Sequence, residues 1–271
     1  MMRPPMTKHT IEHNQRMPVL FVGHGNPMNA IEETPFVIAW RETAAQLPRP
    51  RAILCVSAHW ETEGTFVTAM PNPRTIHDFY GFPDELYRES YPAPGLPALA
   101  ETICGLIHST RVCPDSTFSW GLDHGAWSVL RRMYPAADIP VVQLSLDRTR
   151  PARCHYEMAR ELMPLREQGV LILGSGNLVH NLRLLKWDAD LPYPWASEFD
   201  RLVTELILAG ENDRLAAYET LGEAARFAIP TNEHYLPLLY ALALREAGEE
   251  ASFFAEGIVY GSISMRSLRI G

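Results

Sequence analysis

Several things are scarce or missing in this chain, and each absence removes a class of function. Cysteine occurs four times, as Cys55, Cys104, Cys113 and Cys154, with no C-x-x-C pair. That leaves no thiol motif and fits a reduced, cytoplasmic protein, with Cys55 a small buried hydrophobe in an apolar strand. No run approaches the ~20 apolar residues of a membrane span. Positive charge is in deficit: the net charge is −8 and the pI is near 5.7. With no basic patch, nucleic acid and anionic membrane are poor partners. H-E-x-x-H, G-x-S-x-G and a P-loop are all missing, and Gly174-Ser175-Gly176 is too short for a dinucleotide fingerprint. Residues 1–16 hold Arg3, Lys8, His9, His13 and Arg16 but no apolar core of a secretory signal, so they read as a frayed tail.

What remains is ordinary for a soluble enzyme: 46% hydrophobic and 21% charged residues, enough for one large core. There is no repeat, low-complexity tract or linker to divide residues 17–271. The expectation is one α/β domain, with a central mostly parallel or mixed sheet flanked by helices.

Against this background, Val170 to Arg183 stands out. Val170–Leu173 reads as a strand buried on both faces. Gly174-Ser175-Gly176 reads as a sharp turn, Asn177 as the cap of a helix beginning at Leu178, and His180 as a residue of its first turn. Alone, His180 reads equally well as a histidine capping its own turn. The pattern recurs, however. Val19–Val22 runs into Gly23-His24-Gly25-Asn26-Pro27, and Ala52–Val56 runs into Ser57-Ala58-His59-Trp60. Three strand ends each presenting a histidine suggest a transition-metal site, because imidazole is the commonest ligand and strand ends converge where α/β folds bind ligands.

Two further histidines sit at helix starts. His124 lies in Asp123-His124-Gly125, where the adjacent aspartate could orient the ring, and His234 precedes a helical run from Tyr235 to Arg245. Other helical stretches are Glu32–Leu47, Leu96–Ser109, Pro151–Arg166 and Pro194–Ala209. Ile139–Leu146 reads as a strand, and Glu256–Ile270 as β-like with bulges at Gly257 and Gly261. Between them, Pro71–Gly95 is a long segment dense in proline and aromatics. It is read as a lid or binding loop carrying His77, Phe79 and Tyr80, against the blander reading that its aromatics only fill the core.

Taken together and in order, six pieces resemble the DODA-type members of the class III extradiol ring-opening dioxygenases. They are Gly23–Pro27, Ser57–Trp60, Ile76–Pro83, Trp120–Gly125, Gly174–Asn181 and His234-Tyr235. The resemblance implies a metal site at the strand ends, held by His24, His59, His234 and His180. More distant relatives use two histidines and a glutamate, and Glu233 stands beside His234. It also implies His124, with His180, as the acid/base groups, and His77, Phe79 and Tyr80 as substrate contacts.

The implied cofactor is one divalent metal per chain, Fe2+ for activity or Zn2+ as bound. The implied partners are a DOPA-like catechol and O2, in a monomer or small homo-oligomer. A histidine near neutral pKa would take the catechol proton and return one as the O–O bond breaks, giving a muconic semialdehyde. Two other classes share the histidines. A zinc hydrolase would work without oxygen. A non-catalytic metal-binding protein would close a four-coordinate site and consume no oxygen with catechol.

Overall fold

The computed structural model describes residues 16–271. Its strands are β1 (Val19–Gly23), β2 (Ala52–Thr62), β3 (Thr65–Thr68), β4 (Val112–Asp115), β5 (Val141–Asp147), β6 (Val170–Gly176), β7 (Ala251–Phe254), β8 (Ile258–Val259), β9 (Ile263–Ser264) and β10 (Ser267–Ile270). Eight of these described strands form one mixed sheet in the order β4-β3-β5-β2-β6-β1-β10-β7, while β8 and β9 pair separately. The centre is parallel, with β5, β2, β6 and β1 side by side; β10 and β7 continue it antiparallel. The α/β expectation therefore holds. No helix among the described residues is long and apolar enough to cross a membrane.

Both faces of the sheet are covered, which is why the central strands are continuous apolar runs rather than alternating ones. On one face Phe21, Leu54, Val56 and Ile172 pack against Phe199 and Val203 of the Pro194–Ala209 helix and Leu238 of the Leu236–Ala243 helix. On the other, Leu20, Val22, Ile53, Cys55 and Leu173 meet Trp40 of the Pro35–Gln46 helix and Trp127 of the His124–Met133 helix.

Several local expectations are corrected. β6 does not end at Leu173: it runs through Gly174-Ser175-Gly176, paired with β1 as far as Gly176 and with β2 as far as Ser175. The glycines serve close approach, since a Cβ would lie 2.4 Å from the Pro237 carbonyl oxygen at position 174 and 2.1 Å from that of His234 at 176. No helix begins at Leu178, and Asn177 instead donates through Nδ2 to Ser264 O. His180 makes an isolated antiparallel bridge with Ile263, and Asn181 caps a short 3-10 turn at Leu182–Leu184.

β2 likewise continues past His59 to Thr62. Residues between Val56 and Glu61 bulge from its ladder with β5, which re-aims His59. The 151–166 stretch breaks into the Ala152–Ala159 helix, a 3-10 turn and the Pro164–Glu167 helix, because Pro164 cannot continue the first. Gly257 lies outside any strand and Gly261 follows β8 in a turn. Of the expected tail, residues 1–15 lie outside the described residues. Arg16 is held by Glu246 at 2.5 Å and Glu167 at 3.2 Å.

Candidate metal centre

β1 and β6 end in register, Gly23 opposite Gly176, and the ladder between β2 and β6 stops at Ser57 opposite Ser175, so the residues just beyond these pairings converge. His24 leaves β1 with its N–H on Gly176 O at 3.0 Å, and Gly25 turns the chain with φ +62°, where a Cβ would strike Met265 Sδ. His59 arrives on the β2 bulge. His124 opens the His124–Met133 helix, drawn in because Gly125 has no Cβ to meet Ser57 Oγ at 2.5 Å and His59 Cδ2 at 2.9 Å. His234 lies just before the Leu236–Ala243 helix, and Asn177 N–H binds its carbonyl at 2.8 Å.

These placements bring five histidines together. Ligand atoms of His24, His59 and His124 lie within 4.8 Å of one another, as do those of His180, Glu233 and His234. Ring centres join the two sets: His24–His59 is 5.0 Å, His24–His234 5.3 Å and His59–His234 5.1 Å. His124 lies closer to His59, at 3.9 Å, and His180 stacks on His234 at 3.4 Å, nearly parallel.

Hydrogen bonds fix which nitrogens are free. Ser175 Oγ donates to the Gly125 carbonyl at 2.6 Å, so toward His24 Nδ1, 3.0 Å away, it accepts. His24 is thereby the Nδ1–H tautomer with a bare Nε2. Glu233 Oε1, 2.9 Å from His234 Nδ1, does the same for His234. Asp78 Oδ2 lies 3.4 Å from His59 Nδ1 and 3.0 Å from His124 Nδ1, while its Oδ1 accepts the His124 backbone N–H at 2.8 Å. Nε2 of His24 and Nε2 of His59 face each other at 3.2 Å.

Electrostatics favours neutral rings. Burial, reinforced by neighbouring histidines, pushes His24, His59 and His234 well below the ordinary imidazole value. Burial and His124 bring His180 down to about 4. Asp78 is raised by burial, but the hydrogen bond and charge of His124, with His59, outweigh that and hold it at about 2.

The donor set fits a divalent cation. With metal–nitrogen bonds of ~2.0–2.1 Å at tetrahedral angles, Nε2 atoms lie about 3.3 Å apart and imidazole centres about 5.2 Å apart. The facing Nε2 atoms and the nearly equilateral rings of His24, His59 and His234 match both spacings.

Residues 17–267 match the family of the catalytic LigB subunit of aromatic ring-opening dioxygenase. The chain belongs to the LigB family. It is 48% identical to the 4,5-DOPA dioxygenase extradiol of Escherichia coli K12, over 98% of this chain and 99% of that one. It is 39% identical to the protein of the same name from Beta vulgaris, over 85% and 87%. The crystal structure of the uncharacterized protein JW3007 from Escherichia coli K12 superposes with a TM-score of 0.83 at 45% identity, covering 94% of this chain and all of that one. This LigB-family protein is thus a metal-dependent extradiol dioxygenase that opens the ring of a catechol.

The LigB-family pocket is a cavity of about 390 Å3 containing all five histidines, with Phe79 and Tyr80 on its lining. His77 is not brought to it: Nε2 sits 2.9 Å from Glu89 O, and the ring packs behind Phe79 against Trp127. Asp123, the expected partner of His124, points elsewhere. It caps the helix and accepts from Ser57 Oγ at 2.6 Å and Gln143 Nε2 at 2.7 Å, so the carboxylate beside His124 is Asp78. Sequence reasoning gave no role to Asp78, although it lies inside the Ile76–Pro83 motif. Ser175, Trp187 and Tyr260 were also missed; of these only Ser175 had a signal, its place in the Gly-Ser-Gly run.

Proposed function

We propose that His24, His59 and His234 hold one divalent metal, that His124 and His180 handle protons, and that the chain cleaves catechols of the DOPA type. The observation that carries the ligand set is the near-equilateral triangle of three neutral rings, 5.0–5.3 Å apart. The 3.9 Å approach of His124 to His59 and its Nδ1 beside Asp78 support a proton-carrying role for it over ligation. For His180, the stacking on His234 supports a role other than ligation. A point equidistant from two parallel rings 3.4 Å apart lies about 1.7 Å out of both planes, whereas an imidazole lone pair lies in plane.

Fe2+ is the working metal in this reading. Held by His24, His59 and His234, such a metal would orient the catechol diol beside dioxygen and let the electrons that dioxygen requires come from the catechol, the metal itself unchanged over the cycle. The chain does the rest. His124, its Nδ1 turned to Asp78, presents Nε2 to take a catechol hydroxyl proton and later return it. His180, neutral and parallel to His234, is the second proton carrier. Phe79, whose ring centre is 5.6 Å from that of His124, packs the ring edge and excludes water. Both oxygen atoms of O2 end in the ring-opened muconic semialdehyde. The DOPA-type substrate is supported by the names of the Escherichia coli and Beta vulgaris relatives, and a cytoplasmic setting by the scarcity of thiol motifs.

The test is anaerobic loading with Fe2+, followed by oxygen uptake and absorbance with a catechol panel including DOPA. Catechol-dependent uptake with both labelled atoms of 18O2 in one product is expected. Equal turnover by the Zn2+-loaded protein without oxygen would sink the reading and favour a hydrolase.

A further inference from the structure

Met265 touches both glycines that flank His24. Its backbone lies against Gly23, where a Cβ would sit 2.7 Å from the Met265 carbonyl carbon, and its thioether lies against Gly25, where a Cβ would sit 2.3 Å from Sδ and 2.9 Å from Cε. His24 is the first residue past β1. Its N–H is tied to Gly176 O and its carbonyl to Asn29 Nδ2, each at 3.0 Å, while the turn that follows at Gly25 rests on Met265.

The mount of Met265 is itself fixed. Its N–H binds Gly257 O at 2.8 Å, and its carbonyl accepts from Ser267 Oγ at 3.1 Å, the same hydroxyl that accepts the Gly23 N–H. On either side of it, Ser264 Oγ and the Arg266 guanidinium close on the two oxygens of buried Asp200, at 2.6 Å and 2.7 Å. The Pro194–Ala209 helix, which carries Asp200, thereby anchors the segment that holds the thioether. The histidine cavity, with Leu182, Trp187 and Tyr260 on its wall, shares Asn26 and Tyr260 with a second cleft of about 210 Å3; Gly25 faces the first and Met265 the second. Truncating the thioether widens that cleft and removes the group on which Gly25 rests.

We propose that Met265 is a positioning residue of the metal centre, a backstop that fixes the Gly25 turn and through it the His24 imidazole. This deepens the reading of His24 as a ligand and rests on it. A ligand set works within about 0.5 Å of its productive geometry, so a shifted turn lowers metal affinity while the sheet stays folded.

The test is a double-mutant cycle read as Zn2+ affinity by chelator competition, with urea midpoints of the metal-free proteins and visible spectra of the Co2+-loaded ones measured beside it. Met265→Ala and Gly25→Ala are each expected to lower affinity about tenfold or more, as loss of support around a ligand does, and to alter the Co2+ bands. Met265→Leu, similar in volume, is expected to stay near the parent. The double variant is expected to bind at least as tightly as Gly25→Ala alone, because Sδ and Cε are gone and the new Cβ then meets only Asn29 Nδ2, at 3.5 Å. The cost of a left-handed φ at position 25 is common to both backgrounds and cancels in the cycle. Gly23→Ala is the control: its Cβ meets the backbone of Met265, so truncating that side chain brings no relief. Additive losses at positions 25 and 265, or affinity losses that merely follow the urea midpoints, overturn the proposal. Metal retained by His24→Ala removes the ligand reading and the positioning role together, whereas metal lost there beside an additive cycle removes the role of Met265 alone.

Discussion

Ser175 Oγ stands between the Gly125 carbonyl, 2.6 Å away, and His24 Nδ1, 3.0 Å away, and this one hydroxyl sets the tautomer of a proposed ligand just past the end of the neighbouring strand. Ser175→Ala removes the acceptor that keeps the Nδ1 proton in place, so His24 can turn or switch tautomer. Metal affinity is expected to fall by ~10–100-fold, the usual cost of losing a hydrogen bond that orients a ligand. Chelator competition measures it, and circular dichroism checks that the sheet is intact. Unaltered affinity would separate Ser175 from the metal.

Asp78 faces two histidines at once, 3.4 Å from His59 Nδ1 and 3.0 Å from His124 Nδ1. Asp78→Asn keeps the size and an acceptor but removes the charge. Turnover should drop, because His124 loses the negative charge that faces its Nδ1. His124→Gln should keep the metal and slow turnover by ~10²–10⁴-fold, the usual yield of acid/base catalysis. Metal analysis beside single-turnover kinetics decides; metal loss in His124→Gln would falsify its proton-carrying role.

The stacked pair His180 and His234 should respond differently to the same change. His234→Gln is expected to lose most bound metal, as are His24→Ala and His59→Ala, whereas His180→Gln keeps it and turns over slowly. Loss of metal in His180→Gln would place that ring among the ligands and reject the argument from stacking.

Phe79 and Tyr80 are adjacent but not equivalent. Phe79 lies against His124 and Phe82, whereas Tyr80 is 92% exposed at the mouth. Phe79→Ala should weaken catechol binding by about 0.5–1.5 kcal/mol beyond its lost buried area, with metal content intact. Tyr80→Ala should cost less. Calorimetry on the two variants checks the order, and a larger effect at Tyr80 would mean that the mouth closes over the substrate.

How much of this was legible in the sequence depends on whether the cause was local. His24 could be read because strand, glycine break and histidine are consecutive. Gly174 and Gly176 misled because their reason is non-local: they admit the carbonyls of Pro237 and His234, sixty residues on, and not a turn. Asp123 misled in the same way, being next to His124 in sequence while Asp78 reaches the ring from 46 residues away. Trp187 and Leu182 carried no pattern at all, since a cavity wall has no period.

The histidine cluster also makes stability depend on pH, with a definite sign. His24, His59, His180 and His234 have lowered values in the fold, so below the ordinary value near 6.5 the unfolded chain binds more protons than the native one. The stability of neutral burial is present above that value and declines as pH falls through 6.5. For His180 the decline ends at about 4; for the other three it continues lower. His155, lowered by burial outside the cluster, adds to the same slope. Asp78, held at about 2, adds nothing in this window because its loss begins only below the usual aspartate range. Asp123, raised by burial and by Asp78, works in the opposite direction. Each titrating histidine contributes up to about 1.4 kcal/mol per pH unit. The metal-free protein should therefore lose urea resistance steadily from pH 7 to pH 5. Bound metal, which requires neutral rings, should raise stability at pH 7 and lose that advantage on acidification. His180→Phe keeps a ring in the stack but cannot take up a proton, so its slope between pH 6 and pH 4.5 should be shallower than the parent's by up to that amount. Urea midpoints at four pH values in chelator measure both, and parallel slopes for parent and variant would assign the acid sensitivity to groups outside the cluster.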